Sequence, residues 1–152
     1  MEYIYRWTDG TNTDFVNFST DMEAYYNRLV NGAANRKNFI PYNALADIKD
    51  VVIAYDENTP IACASFKKYD DKSAEVKRVW VSPEYRGRHI AKELMRLVEN
   101  RAKEKGFTRT ILQTREACYD AVSLYRAIGY GKIDNYPPYD NMELAICFAK
   151  DL

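Results

Sequence analysis

Apolar and polar positions follow two periods along the chain, and the changes of period predict both strands and helices. Apolar residues three and four positions apart predict three amphipathic helices, with stripes over residues 15–29, 90–102 and 121–128. Alternating or continuous apolar runs predict strands over residues 3–7, 51–55, 61–69, 74–81, 108–113 and 142–148. We expect the first helix to stop at Asn31-Gly32, and the mixed segment beyond it leaves room for a short helix after Asn43. This order predicts an α/β or α+β class with a mixed sheet.

Composition limits the kind of protein that this pattern builds. The chain has 152 residues, which predicts one domain over residues 1–152, and its net charge is zero. No apolar run reaches the ~20 residues of a membrane span, and the N-terminus lacks the basic and apolar regions of a signal peptide. Three cysteines without Cys-x-x-Cys spacing and a single histidine argue against a disulfide scaffold or a metal site. We therefore expect a cytoplasmic protein with reduced thiols and no metal.

Charge is concentrated in one segment of this neutral chain. Residues 76–109 carry ten basic and four acidic side chains, a local charge of +6. Such a patch indicates a specific anionic ligand more than a polyanion, and the alternative is a solvated helix face.

The junction at residues 79–92 carries the clearest chemical signal. A strand ends at Val81, a turn with Pro83 and Gly87 follows, and a helix is expected to begin near Arg88. A helix N-terminus presents unpaired N–H groups and partial positive charge, and the arginines at 86 and 88 add to both. The spacing fits neither the Walker A loop nor G-x-G-x-x-G, so nucleotide-binding interpretations of those types fail. The residues alone leave open an anion site or a plain connection.

This junction resembles the acetyl-CoA-binding motif of the GNAT N-acetyltransferase superfamily, Q/R-x-x-G-x-G/A, which reads here as residues 86–91. The preceding residues 79–85 are similar to the family's strand and its V-x-P-x-Y segment. Residues 121–130 are similar to the family's A-x-x-L-Y-x-x-x-G-F/Y helix. The resemblance covers residues 51–149 and implies a GNAT-like fold, a mixed and mostly antiparallel sheet flanked by helices.

The resemblance implies acetyl-CoA as co-substrate, without a metal. The backbone of Val79, Trp80 and Val81 would pair with the pantetheine. Backbone amides of the turn and the first helical turn would hold the pyrophosphate, and these belong to Arg86, Gly87, Arg88, His89, Ile90, Ala91 and Lys92. Ala91 keeps the required small side chain, whereas His89 stands where the family usually has glycine, so it is either an added phosphate contact or an exposed residue. Cys118 stands where many members place an asparagine on the cofactor.

The resemblance also implies catalytic roles. Tyr125 matches the family's tyrosine acid near the thioester sulfur, and its alternative is a core tyrosine. Glu75 matches a carboxylate base at the start of the thioester strand, and a period of two places it on one face with Lys77, Val79 and Val81. Another branch of the family has its carboxylate base at the position of Gln113, and an amide cannot act as a base. A base that acts through a water molecule is therefore the alternative to Glu75. A solvated Glu75 paired across the sheet also stays open.

The sequence says least about the acceptor, the amine that would receive the acetyl group. In the fold that the resemblance implies, the N-terminal helical segment, residues 13–48, would flank the acceptor, together with Tyr130, Tyr136 and Tyr139. The tyrosines with Asp134 and Asp140 suit a cationic or an aromatic amine, and the alternative is that they are core and turn residues. The leading interpretation is an N-acetyltransferase acting by direct attack of a primary amine of a small molecule or peptide. The alternatives are an idle acyl-CoA-binding domain and a nucleic-acid module using the +6 segment with Tyr85 and Trp80. Zero net charge argues against nucleic acid and membrane partners, and a homodimer is left open.

Overall fold

The computed structural model describes residues 2–29, 45 and 47–152. Its elements are, in chain order, β1 (Ile4–Thr8), α1 (Thr13–Leu29), β2 (Asp50–Asp56), β3 (Thr59–Lys68), β4 (Ser73–Val81), α2 (Ile90–Glu104), β5 (Arg109–Thr114), α3 (Tyr119–Ala127), β6 (Gly131–Ile133) and β7 (Ile146–Asp151). The predicted order is confirmed, with the three-residue β6 as an unpredicted addition. The expected stop at Asn31-Gly32 and the short helix after Asn43 lie outside the described residues.

The strands form one seven-stranded sheet in the order β1-β2-β3-β4-β5-β7-β6. Every neighbouring pair is antiparallel except β4 and β5, which run parallel. A parallel pair needs a crossover connection, and here α2 supplies it. The mixed, mostly antiparallel sheet implied by the family resemblance is therefore confirmed.

Helices cover both faces of the sheet through the apolar stripes seen in the sequence. The α2 stripe is buried at Ile90, Leu94, Val98 and Ala102, within a core cluster that includes residues of the central strands. On the opposite face α1 buries Phe15, Phe18 and Met22. Burial of both faces explains why β2 reads as a continuous apolar run rather than as an alternating one.

The last strand begins later than predicted. The apolar run from residue 142 predicted strand there, but residues 142–145 form turns before β7 begins at Ile146. The side-chain amide of Asn135 donates hydrogen bonds to the carbonyls of Tyr139, Met142 and Ala145, at 3.3, 3.4 and 2.9 Å. Bonding to Asn135 gives these carbonyls a partner outside any strand ladder.

The parallel pair separates part of the way along. Its three recorded pairs are Ser73 with Arg109, Ala74 with Thr110, and Glu75 with Ile111. Beyond them β4 continues to Val81 and β5 to Thr114, without further pairing to each other. The diverging strands open a gap in the middle of the sheet, and this gap positions the site.

Candidate active site

A cavity of about 750 Å³ occupies the gap between β4 and β5. Residues 75–81 of β4 line one side, and residues 112–115 lie opposite on and just after β5. The start of α2 and one side of α3 contribute further, and α1 adds Met22, Tyr25 and Tyr26. The cavity therefore joins the segments that sequence analysis selected for cofactor binding and for catalysis.

The turn before α2 has the conformation of an open helix N-terminus. Residues Pro83–Tyr85 form a short 3-10 turn, and Gly87 and His89 then adopt left-handed backbone angles, with φ of 79° and 63°. Glycine adopts this region freely, whereas a left-handed histidine carries some strain. The helix begins at Ile90, two residues later than expected, and the His89 side chain makes no capping hydrogen bond. The first amides of α2 are thus not covered by a side-chain cap.

The two arginines of this turn have different surroundings. Arg86 lines the cavity, where its Nε donates to the carbonyl of Val81 at 2.9 Å and its guanidinium lies 4.7 Å from the Trp80 ring centroid. Arg88 is exposed and outside the cavity lining, and its guanidinium donates to the Tyr3 hydroxyl at 3.2 Å. The other turn residues chosen from the motif all line the cavity. The structure therefore brings the predicted phosphate-turn residues together except for the Arg88 side chain.

A β-bulge at Arg78 interrupts β4 beside the cavity. Ser65 pairs with Lys77 and Cys63 pairs with Trp80, so three steps on β4 face two on β3, and Arg78 has a left-handed φ of 46°. Two side chains of β3 satisfy the carbonyls that the ladder loses there. Ser65 Oγ donates to the carbonyl of Lys77 at 2.6 Å, and Cys63 Sγ donates to that of Arg78 at 3.5 Å.

The bulge changes which side chains share a face. Val76 and Val81, an odd number of positions apart, belong to the α2-facing core, and Val79 packs against it. Trp80 belongs to the opposite cluster with α1. The prediction that Glu75 and Lys77 share a face with Val79 and Val81 is therefore wrong, because a bulge reverses the alternation that a regular strand would keep.

Glu75 lies in a buried polar cluster at the cavity and is only 4% exposed. Tyr136 donates to its Oε2 at 2.6 Å, and Lys77 Nζ lies 3.5 Å from its Oε1 and donates to the Tyr139 hydroxyl at 3.2 Å. Burial lowers the pKa of Lys77, while burial and the Glu75 charge raise that of Tyr136. Glu75 is therefore not a solvated strand residue.

Tyr125 lies on α3 and lines the same cavity, with 7% of its surface exposed. Its ring centroid is 5.7 Å from that of Tyr130, and burial raises the pKa of its phenol. Among the described residues its hydroxyl has no hydrogen-bond partner. Cys118, immediately before α3, also lines the cavity. The structure thus brings Tyr125, Glu75 and the turn before α2 to one cavity.

The residues expected beside the acceptor divide between different places. Tyr139 lines the cavity and Tyr136 reaches it through Glu75. Tyr130 instead lies in the α2-facing core, where its hydroxyl bonds to Thr110 and Glu99, so its expected place on the acceptor side is wrong. Asp134 and Asp140 are exposed and do not line the cavity.

The aromatic residues considered for nucleic-acid stacking do not form an exposed platform. Trp80 is 8% exposed beneath Arg86 and Tyr25. Tyr85 meets Tyr3 edge-on and donates to Asp56 at 2.7 Å. Neither ring offers the open face on which a base stacks.

The segment 13–48 is expected beside the acceptor, and α1 does line the cavity, but the sequence does not single out which of its side chains do so, nor the partners of Glu75. Met22, Tyr25 and Tyr26 carry only a helical-stripe signal, which does not distinguish a core position from a cavity position. Tyr136 meets Glu75 across 61 positions of sequence, and no local pattern reports such a contact.

Two features of the described part of the chain bear on other functions. No helix there is long and apolar enough to cross a membrane. No group of three or more histidine, cysteine, aspartate or glutamate side chains there is arranged to hold a metal ion.

Comparison with known proteins gives concordant results. The model of the acetyltransferase (GNAT) family matches residues 5–130. N-acetyltransferase family 8 member 2 of Rattus norvegicus is 38% identical over 65 residues, which are 43% of this chain but 29% of the rat protein. A Klebsiella pneumoniae structure described as an acyl-CoA N-acyltransferase matches with a TM-score of 0.81 at 18% identity, over 99% of this chain and 97% of that one. A GNAT family acetyltransferase of Elizabethkingia anophelis, determined with acetyl-CoA bound, has a TM-score of 0.63 at 20% identity over 76% of this chain and 83% of that one. At such identities the two structures establish a shared fold alone.

Proposed function

The chain belongs to the acetyltransferase (GNAT) family, and from this membership we propose that it transfers an acetyl group from acetyl-CoA to a primary amine of a small molecule or peptide. One observation carries the proposal. A single cavity in the β4–β5 gap is lined by the uncapped start of α2, by the buried carboxylate of Glu75 and by the buried phenol of Tyr125. A binding turn, a base and an acid in one cavity are what acyl transfer to an amine requires.

The residues present fit acetyl-CoA. The open amides of residues 90–92 and the side chain of Lys92 would hold the pyrophosphate, because a helix N-terminus favours anions. The small side chain of Ala91 leaves room there. The edge of β4 at residues 79–81, which β5 does not pair, offers backbone groups to the pantetheine. His89 and Cys118 line the same cavity, so their departures from the family pattern leave both residues beside the proposed cofactor.

When bound, acetyl-CoA supplies an acetyl thioester, and the protein's residues manage the protons. The amine nitrogen attacks the carbonyl directly, so that a C–N bond forms and the C–S bond breaks. Glu75 takes the proton that the amine loses, directly or through a water molecule, and Tyr125 donates its proton to the departing sulfur. Because burial raises the pKa of Tyr125, its phenol is protonated at neutral pH and available as the donor.

A binding and turnover experiment tests the proposal. Acetyl-CoA at ~100 times its dissociation constant adds ~2.7 kcal/mol of stability, a melting shift of roughly 5–10 °C for a chain of this size. Ala91→Glu places bulk and negative charge at the start of α2 and should abolish the shift. Ala24→Glu makes the same change at an exposed helical position outside the cavity and should preserve it.

Product formation separates transfer from simple binding. Release of CoA that depends on an added amine, with the acetylated amine detected by mass spectrometry, supports the proposal. A clear shift with acetyl-CoA and no acetylated product from any amine would favour the idle acyl-CoA-binding domain. Absence of a shift with either acetyl-CoA or CoA at millimolar concentration would remove the basis for both.

A further inference from the structure

Sequence analysis left open a cationic or an aromatic acceptor, and the cavity distinguishes the two. We propose that the acceptor is a monoamine with an aromatic body, and that the cavity excludes polyamines and other polycations. This inference rests on the proposed acetyl transfer and adds the chemical class of the acceptor.

The side of the cavity formed by α1 and the bulge of β4 is aromatic. Tyr25 lies edge-on to both Tyr26 and Trp80, with ring centroids 5.5 Å apart in each pair. Met22 lines the cavity beside them, and Tyr139 lines it near Lys77. Rings that meet edge-on leave faces and edges for a further ring, and such contacts add to the stabilisation from buried area.

The guanidinium of Arg86 fixes this aromatic cluster. It lies 4.7 Å from the Trp80 centroid and 5.4 Å from that of Tyr25, and its Nε is anchored on the carbonyl of Val81. A cation is therefore already placed against the two rings. An incoming ammonium that sought these same ring faces would meet a like charge.

The charges of the cavity lining are also unfavourable for a polycation. Within the described residues, two lining side chains are acidic, Glu75 and Asp120, whereas five are basic. Two of the five, Arg86 and Lys92, lie on the segment proposed to hold the pyrophosphate, which leaves three. Glu75 already receives the Tyr136 hydroxyl and lies within ion-pair distance of Lys77. Asp120 is exposed in the first turn of α3. A buried ammonium needs a carboxylate of its own, and Glu75, the buried one, is already paired.

Among the described residues, the acidic pair that the sequence offered for the acceptor side supplies no carboxylate to the cavity. Asp134 and Asp140, the acidic pair that made a cationic acceptor plausible, do not line the cavity. A monoamine that reacts in its neutral form brings no unpaired positive charge into the cavity, whereas a polyamine would. An aromatic body on that amine also gains contact with the tyrosine and tryptophan rings.

Three amines of graded chemistry test the inference: 2-phenylethylamine, hexylamine and spermidine. The first two carry one amine and differ in the ring, and the third carries additional charges. We expect kcat/KM for 2-phenylethylamine to exceed that for hexylamine by at least ~10-fold, with spermidine lowest. A preference for spermidine would overturn the inference while leaving acetyl transfer intact, and equal use of the first two amines would overturn the aromatic part.

Two tyrosine variants locate the preference in the cavity. Tyr25→Ala should lower kcat/KM for 2-phenylethylamine by ~10-fold or more and reduce its advantage over hexylamine, with the acetyl-CoA melting shift retained. Tyr119→Ala makes the same change at a tyrosine that is 74% exposed and outside the cavity lining, and it should leave the ratio unchanged. An unchanged ratio in Tyr25→Ala would refute the assignment. If acetyl-CoA still shifts the melting curve but no amine is acetylated, the proposed transfer itself fails, and this inference fails with it.

Discussion

Replacing Tyr125 with phenylalanine separates a catalytic phenol from a core tyrosine. The ring fills its place on α3 and lies against Tyr130, and phenylalanine retains that packing. Only the hydroxyl is lost. Because no described residue is hydrogen-bonded to that hydroxyl, its removal breaks no internal hydrogen bond within the described part of the protein.

The expected magnitudes follow from this environment. A hydroxyl that bonds no other part of the protein contributes no internal hydrogen bond, so the free energy of unfolding should change by less than ~1 kcal/mol. The departing sulfur needs the proton much more than the bound thioester does. Turnover should therefore fall by ~10²-fold or more, which corresponds to about 2.7 kcal/mol of lost transition-state stabilisation, with acetyl-CoA affinity nearly unchanged.

Tyr130→Phe is a matched control, because it removes a hydroxyl from the neighbouring ring. That hydroxyl lies 2.7 Å from Thr110 Oγ1 and donates to Glu99 at 3.1 Å, and Tyr130 does not line the cavity. We expect this variant to lose ~1–3 kcal/mol of stability while keeping normal turnover per folded molecule. Steady-state kinetics and denaturant unfolding on both variants give the comparison. If Tyr125→Phe has the wild-type rate, or loses stability as Tyr130→Phe does, the catalytic assignment is wrong.

Four further predictions concern the base, the turn, the bulge and pH. Glu75→Gln should lower turnover at neutral pH by ~10²–10⁴-fold in steady-state kinetics, whereas a change of only a few-fold would favour a base other than Glu75. Arg88→Ala should weaken acetyl-CoA binding by no more than a few-fold by titration, because its side chain is exposed and turned towards Tyr3. Ser65→Ala should cost ~1–3 kcal/mol in urea unfolding, because it leaves the carbonyl of Lys77 without its donor, and an unchanged midpoint would contradict that role. Since burial raises the pKa of Tyr125, its proton is retained as pH rises towards 10, so its ionisation should cause no fall in turnover with an apparent pKa below 9; such a fall, if it vanished in Tyr125→Phe, would contradict the raised pKa.

The fold was predictable where local pattern and tertiary packing agree. The α2 stripe from Ile90 to Ala102 faces the core, and the motif around Arg86 marks the strand-to-helix junction. The pattern was misleading at residues 142–145, where an apolar run forms turns. There one side chain, Asn135, bonds carbonyls that lie 4, 7 and 10 positions later, and single-residue capping of this kind leaves no periodic signal.

The candidate site was predictable in its motif and not in its surroundings. The spacing around Ala91 and Tyr125 matches a family pattern, and both residues line the cavity. The aromatic side contributed by Tyr25 and the bond from Tyr136 to Glu75 depend on contacts between segments far apart in sequence. Helical spacing alone describes Tyr25 equally well as a core residue, so only the assembled fold reveals what it faces.

The bulge at Arg78 explains how one strand serves two purposes. A regular β4 would direct Glu75, Lys77, Val79 and Val81 to one face of the sheet. The proposed base and the valines would then have to share either the apolar core or the polar cluster. The inserted residue reverses the alternation, which keeps Val81 in the α2-facing core while Glu75 stays on the other face. The left-handed φ of Arg78 strains the backbone locally. The ion pair of Arg78 with Glu23 at 2.7 Å and the hydrogen bonds donated from β3 offset this strain. The same irregularity turns Trp80 towards α1, so the proposed acceptor side and the buried carboxylate both depend on one departure from strand geometry.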